Sequence, residues 1–142
     1  MVSEQQEKII RKKYMEFQFL EEQLSYLSKQ HEFINQQITE VDTILMGLEE
    51  LKEAKPGLPM RAQFAQGIYV DATLSSHEKV LMSIGAEVFL PKTLKEAKQT
   101  MEHQKSELLN VLTNMEKGTQ EVSSRFSALQ QELLSLSESL QG

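Results

Sequence analysis

The residues of this sequence that could do chemistry are scattered rather than grouped. Its three histidines, His31, His77 and His103, lie far apart, and none has a ligand partner three or four residues away that also faces a pocket. The chain contains no cysteine, which excludes a thiol nucleophile, a disulfide and a thiolate metal site. Neither G-x-x-x-x-G-K-[ST] nor G-x-G-x-x-G occurs. We therefore expect no enzyme, no cofactor and no metal, and interpret His31 as a seam residue that sets helix register, with a metal ligand as the alternative.

Composition narrows the class of partner. The chain has 142 residues and a net charge of −6, without a basic face or a nucleic-acid motif, so no nucleic-acid partner is expected. Its one basic cluster, Lys8 with Arg11, Lys12 and Lys13, is typical of a solvated helix face, with an anion or membrane patch as the alternative. No apolar run is long enough to cross a bilayer and no signal sequence is evident, so we expect no membrane partner and a cytoplasmic location.

A long first helix is predicted over residues 3–55. Ser3 and Gln6 match a capping box at its start, and Pro56-Gly57 stops it. Between them runs a coiled-coil heptad. Its seam positions are Ile10, Phe17, Leu24, His31, Ile38 and Leu45, and, three residues after each, Lys13, Leu20, Leu27, Ile34, Val41 and Leu48. Such a helix is about 80 Å long, which is too long for a compact domain of this size.

A second helix of similar length is predicted over residues 93–141, after a capping box at Thr93 and Glu96. One wholly apolar series recurs every seven residues in it. That series is Leu94, Met101, Leu108, Met115, Val122, Leu129 and Leu136. Two helices of equal length joined by a short segment predict an antiparallel coiled coil with both termini at one end.

Residues 61–91, between the helices, carry strand signals. Ile68, Val70 and Ala72 alternate with polar residues, and Val80, Met82 and Ile84 repeat the pattern after a break. Gly67 and Gly85 separate such runs and predict the turns of two β-hairpins. Because an isolated hairpin is marginally stable in water, we expect these strands to assemble with those of other subunits. The residues predicted to carry subunit assembly are Ile68, Val70, Val80, Met82, Ile84 and Val88.

Apolar residues crowd the far ends of both helices, where a two-stranded seam needs fewer. Charge is sparse along the last reach of the second helix, which is rich in serine and glutamine. This pattern is typical either of an ordinary seam that frays or of an exposed apolar tip that binds other polypeptides. The candidate tip residues are Ile9, Ile10, Tyr14, Phe17, Phe126, Leu129, Leu133, Leu134, Leu136 and Leu140.

The order helix, two hairpins, helix resembles the alpha-class subunit of prefoldin over essentially the whole chain. The specific part is the segment 79–90, in which Ile84-Gly85-Ala86 joins two apolar strands. Two positions depart from the family pattern. Glu87 stands where a second glycine is usual, and Gln63-Phe64-Ala65 replaces the usual Pro-Ile/Leu-Gly.

The resemblance implies an α+β, mainly α fold in which the hairpins form an oligomeric β-barrel. It implies an ATP-independent chaperone, with two alpha-class and four beta-class subunits in one hexamer. The coiled-coil tips would hold unfolded client proteins and deliver them to a group II chaperonin in the cytoplasm. An alternative within the family is a self-assembling filament or scaffold of the gamma-prefoldin type, which needs no beta-class partner.

Overall fold

The computed structural model describes residues 3–141, in which two long helices flank four short strands. The elements are α1 (Glu4–Glu53), β1 (Pro59–Ala65), β2 (Ile68–Thr73), β3 (Lys79–Ser83), β4 (Phe89–Thr93) and α2 (Leu94–Gln141). β1 pairs with β2, and β3 with β4, in two separate antiparallel two-stranded sheets. The predicted mainly α fold with two hairpins is thereby confirmed. Closure of the hairpins into a barrel involves further chains and stays a prediction.

The chain divides into two compact units. The terminal unit contains Met1–Gln36 and Leu109–Gly142, and the central unit contains Gln37–Leu108. Each unit holds a segment of α1 and a segment of α2, and both hairpins belong to the central unit.

Both helices begin at the capping residues that the sequence predicts. The Ser3 amide donates to Gln6 Oε1 and the Gln6 amide donates to Ser3 Oγ, each at 3.2 Å, which is the reciprocal pattern of a capping box. At the start of α2 the Glu96 amide donates to Thr93 Oγ1 at 3.1 Å. Each bond satisfies an amide that has no partner inside its own helix.

In the terminal unit the helix segments pack antiparallel along the predicted seam. Leu20 of α1 and Leu129 of α2 are buried, and the neighbouring heptad positions are half-buried. Two contacts between the helices show the direction. Lys13 binds Glu132, and His31, further along α1, faces Glu116, which precedes Glu132 in α2.

The central unit repeats this arrangement with one difference. Val41 is buried at a predicted seam position, and Lys105 binds Asp42 at 2.7 Å. Ala97, which the heptad series omits, is also buried, while Lys98 is exposed and reaches Glu49 at 3.1 Å. A methyl group fits between two close helices where a lysine side chain does not, so the charged neighbour turns toward solvent.

The strands extend further than the alternation predicts. α1 ends at Glu53 rather than Lys55, and Gly57 follows with a φ of 88°. The Gly57 amide then donates to the Leu74 carbonyl at 2.6 Å, which starts the pairing before Pro59. β4 runs past Pro91 to Thr93, directly against the first residue of α2.

The first hairpin has one apolar and one polar face. Met60 is paired with Ala72 and Ala62 with Val70, so these four side chains share one face. Arg61 and Asp71 oppose each other on the other face, where their side chains lie 3.8 Å apart. The register shifts between residues 63 and 65, which is a β-bulge at the position where the family pattern is also broken.

The turn of the second hairpin is strained. The alternation predicts strand on both sides of Gly85, but residues 84–88 form the turn, in which the Ile84 amide donates to the Val88 carbonyl at 3.0 Å. Gly85, Ala86 and Glu87 have φ angles of 102°, 50° and 61°. A residue with a Cβ is disfavoured in this left-handed region. The glycine that the family usually has at position 87 would remove one of the two disfavoured conformations.

Replacing Glu87 by glycine is expected to stabilise the second hairpin by about 1 kcal/mol, because relief of the left-handed strain outweighs the greater freedom of glycine in the unfolded chain. Amide hydrogen exchange of Ile84 and Val88 measures this, with an expected protection gain of roughly fivefold. Glu78→Gly is the matched control, since Glu78 is exposed and has no positive φ, and its hairpin protection should not rise. Unchanged or lower protection in Glu87→Gly would contradict the strain.

Candidate functional site

No catalytic constellation forms among residues 3–141. Within this range no three histidine or carboxylate side chains converge to hold a metal ion. His103 lies beside Glu107 of the same helix, at 3.0 Å on an exposed face. His77 lies half-buried between the hairpins, and its Nδ1 has no hydrogen-bond partner among the described residues.

His31 is held in the seam by hydrogen-bonding groups of both helices. The Asn35 side-chain amide donates to His31 Nδ1 at 3.0 Å, which places the ring proton on Nε2, facing the Glu116 carboxylate at 3.5 Å. A cavity of about 390 Å³ adjoins it, lined also by Leu27 and Thr119. Small and polar side chains leave this gap because they do not fill a seam as leucine does. The sequence did not indicate the cavity, because its walls come from residues of α1 and α2 that are far apart in the chain.

The hairpins expose most of their apolar residues. Ile68 and Val70 of the first hairpin are exposed, whereas Val80 and Met82 of β3 are half-buried within the chain. Ile84 and Val88 are exposed but lie in the strained turn rather than in a strand. Exposed apolar strands with open edges are the kind of surface on which strands of another chain pair, so assembly through these residues stays a prediction.

A second apolar face of the second hairpin was missed by sequence reasoning. Leu81 is opposite Pro91 on the face that points away from Val80 and Met82. Phe89 shares this outer face, and Leu81 and Phe89 are 71% and 58% exposed. The alternation argument assigns one face to the core and the other to water, whereas this hairpin is apolar on both. The continuous run Val80-Leu-Met82 in the sequence was the available signal.

Charged side chains hold the two helix ends of the terminal unit together. Arg125 donates to both carboxylate oxygens of Glu16, at 3.0 and 3.2 Å, and also lies 3.8 Å from Glu132. Lys13, which breaks the apolar seam, binds Glu132 at 2.5 Å. Phe17 and Phe126 directly follow Glu16 and Arg125 in the sequence, and their rings stack with centroids 4.6 Å apart.

The same pairs shift the pKa values of their members. A hydrogen bond from Lys13, together with its charge, lowers the pKa of Glu132, and Arg125 adds to this. Glu16 raises the pKa of Arg125 in the same way. Since the pKa of Glu132 is depressed on folding, its contribution to stability is present at neutral pH and is lost as pH falls through the folded value. The groups are partly exposed, so each pair contributes modestly.

The candidate tip residues fall into two groups in this unit. The exposed group is Ile9, Tyr14, Leu134 and Leu140, which we call the terminal patch. The second group is buried or half-buried and consists of Ile10, Phe17, Phe126, Leu129, Leu133 and Leu136. Leu129 has no exposed surface, so it holds the helices together and is not accessible to another polypeptide.

Comparison with known proteins agrees with this architecture. A model of the prefoldin subunit family matches residues 20–139. Prefoldin subunit alpha of Thermofilum pendens is 27% identical over 93 residues, which are 66% of this chain and 72% of that protein. Prefoldin subunit alpha of Methanobrevibacter smithii is 26% identical over 127 residues, 89% of this chain and 86% of the relative.

A solved structure shares the fold. It is the cryo-EM structure of filamentous PFD from Methanocaldococcus jannaschii, with a TM-score of 0.72 and 19% identity, covering 82% of this chain and 96% of that one. No helix within residues 3–141 is long and apolar enough to cross a membrane. The family match covers most of both helices and all four strands. The chain therefore belongs to the prefoldin family, as a chaperone-type subunit of the archaeal-type alpha class.

Proposed function

We propose that this chain is an ATP-independent holdase subunit that binds unfolded polypeptides through its terminal patch. The observation that carries the proposal is the exposure of large apolar side chains near the ends of two helices that already pack through Leu129 and the Phe17–Phe126 stack. A helix pair serving only as a spacer needs the buried Leu129 and the Phe17–Phe126 stack, but not an exposed Ile9, Leu134 or Leu140.

Assembly through the hairpins completes the proposal. The exposed apolar faces of both hairpins support pairing with beta-class prefoldin subunits, and the hexamer of two alpha and four beta subunits follows from the family alone. Delivery of clients to a group II chaperonin in the cytoplasm has the same basis. Several terminal patches on one assembly would bind the same client at once, because each additional patch acts at high effective concentration.

A filament or scaffold is the second candidate. It is favoured by the structural similarity to filamentous PFD from Methanocaldococcus jannaschii, which shows the same fold. The two functions differ in the partner that the hairpins need. If the chain purified alone forms a series of oligomers of increasing size, the filament is favoured. An assembly of one defined mass that forms only with a beta-class subunit favours the hexamer.

Protection of a denatured client should be the same with and without ATP and Mg²⁺, since no phosphate-binding loop is present in the sequence. Light scattering of a diluted, chemically denatured protein measures it, with this chain and a beta-class subunit added in increasing amounts. Bovine serum albumin at equal mass is the control for unspecific crowding. A requirement for ATP, or protection no better than that of albumin, would refute the holdase function.

A further inference from the structure

α1 carries an aromatic stripe that neither the seam nor the terminal patch uses. Phe19, Tyr26 and Phe33 follow one another at heptad spacing. Each comes two positions after a half-buried seam residue, namely Phe17, Leu24 and His31. The stripe is turned about 200° from these seam positions and about 100° from the second seam series, so it lies outside the seam. The three side chains are 58%, 62% and 54% exposed. All of them belong to the terminal unit.

The spacing of the stripe matches a helical occupant. Seven residues rise about 10.5 Å along a helix, so a second helix with its own heptad presents side chains at the same interval. An extended peptide places side chains on one face about every 6.8 Å and falls out of step with the rings.

The pattern is also nearly the same in both chain directions. Phe19 and Phe33 are equally far from Tyr26, on either side of it. Glu22 lies four residues before Tyr26 and Lys29 three residues after it, on the same side of the helix. Both are exposed, and within residues 3–141 neither has an ion-pair partner. A surface that matches itself when reversed is what a two-fold symmetric contact requires.

We propose that this stripe is a contact surface for a second copy of the same chain, with the two α1 helices antiparallel and Tyr26 near the two-fold axis. Phe19 then meets Phe33 of the second copy, and Glu22 comes beside Lys29 of the second copy. In a parallel two-fold pair, Glu22 and Lys29 of the two copies lie on opposite sides of the contact, so this ion pair does not form. Charge thus selects the antiparallel orientation.

The contact is weak for a single pair of copies. Three half-exposed aromatic rings bury roughly 300 Å² per copy, which is well below the ~800 Å² per partner of a stable complex. It gains strength where several copies share one body, because several stripes then engage at once. The strength of the contact rests on the proposed assembly, whereas the stripe itself lies on a different face of the helix from the terminal patch.

Cysteine cross-linking tests the contact and its direction, because the chain has no cysteine of its own. Full-length Tyr26→Cys should form a disulfide-linked dimer by itself on mild oxidation. Phe19→Cys and Phe33→Cys should each cross-link poorly alone and efficiently when mixed. Ser25→Cys is the matched control, since Ser25 is exposed on the same turn but about 100° away. We expect at least fivefold more dimer from Tyr26→Cys than from Ser25→Cys.

A second pair of variants retains all three rings. Glu22→Cys mixed with Lys29→Cys should give the mixed dimer in preference to either self-linked dimer. Equal yields at Tyr26 and Ser25, or efficient self-linking of Phe19→Cys, would overturn the proposal. The proposal is also overturned by a variant with Phe19→Ser, Tyr26→Ser and Phe33→Ser if it loses client protection while Glu22→Cys and Lys29→Cys still cross-link within that variant. The stripe would then hold clients instead of a second copy.

Discussion

Replacing Leu81 and Phe89 by threonine is expected to abolish assembly while both helices remain formed. Both side chains lie on the outer face of the second hairpin, where most of their surface is left exposed by residues 3–141. Burial of each in an interface contributes roughly 1–2 kcal/mol at their exposure, so the double change weakens each subunit contact by about 30- to 1,000-fold. Threonine retains a high strand propensity, which keeps the hairpin itself intact.

Size-exclusion chromatography with light scattering, run on the chain alone and mixed with a beta-class subunit, measures this loss as a shift to the mass of the single chain. Far-ultraviolet circular dichroism should show unchanged helicity. The matched control is Arg61→Thr with Gln63→Thr, which places two threonines on the polar face of the first hairpin and should leave the assembly intact. If the Leu81 and Phe89 variant keeps the elution volume of the unmodified chain, the outer face is not an assembly surface.

Replacing three of the four residues of the terminal patch, with only Tyr14 kept, should have the opposite effect: assembly is retained and client protection is lost. The change is Ile9→Gln, Leu134→Gln and Leu140→Gln, which keeps good helix formers and leaves the buried Leu129 untouched. At about half exposure each side chain offers roughly 1–1.5 kcal/mol to a bound polypeptide. Association itself costs at least ~4 kcal/mol, so holding depends on these side chains acting together.

Suppression of client aggregation measures the effect, in parallel with the mass of the assembly. The matched control is Ile44→Gln, Leu109→Gln and Val111→Gln, three exposed apolar helix residues outside the patch. The control should protect like the unmodified chain. Full protection by the patch variant would show that the patch is only the end of a coiled coil, and the filament function would then lead.

Features set by neighbouring residues could be predicted from the sequence. The cap at Ser3 and Gln6 needs only two side chains three positions apart, and the structure has both bonds. The heptad identified the buried Leu20 and Val41, because seven residues return to the same side of a helix.

Features set by distant residues or by backbone strain could not be predicted from the sequence. The turn at Ala86 and Glu87 depends on positive φ angles that apolar alternation does not encode. An apolar residue near a helix end has the same character whether it faces the partner helix, as Leu129 does, or water, as Leu134 does. Only the packed structure separates the seam from the patch.

The antiparallel pairing of α1 with α2 has a consequence for the order of folding. Lys13 and Glu132 are 119 positions apart, whereas Glu49 and Lys98, in the central unit, are much closer in the chain. Closing a long loop costs more entropy than closing a short one, so pairing that starts beside the hairpins and advances by one turn at a time avoids the largest loops. The terminal unit is then completed last during synthesis, because Lys13 has no partner until the ribosome has released Glu132.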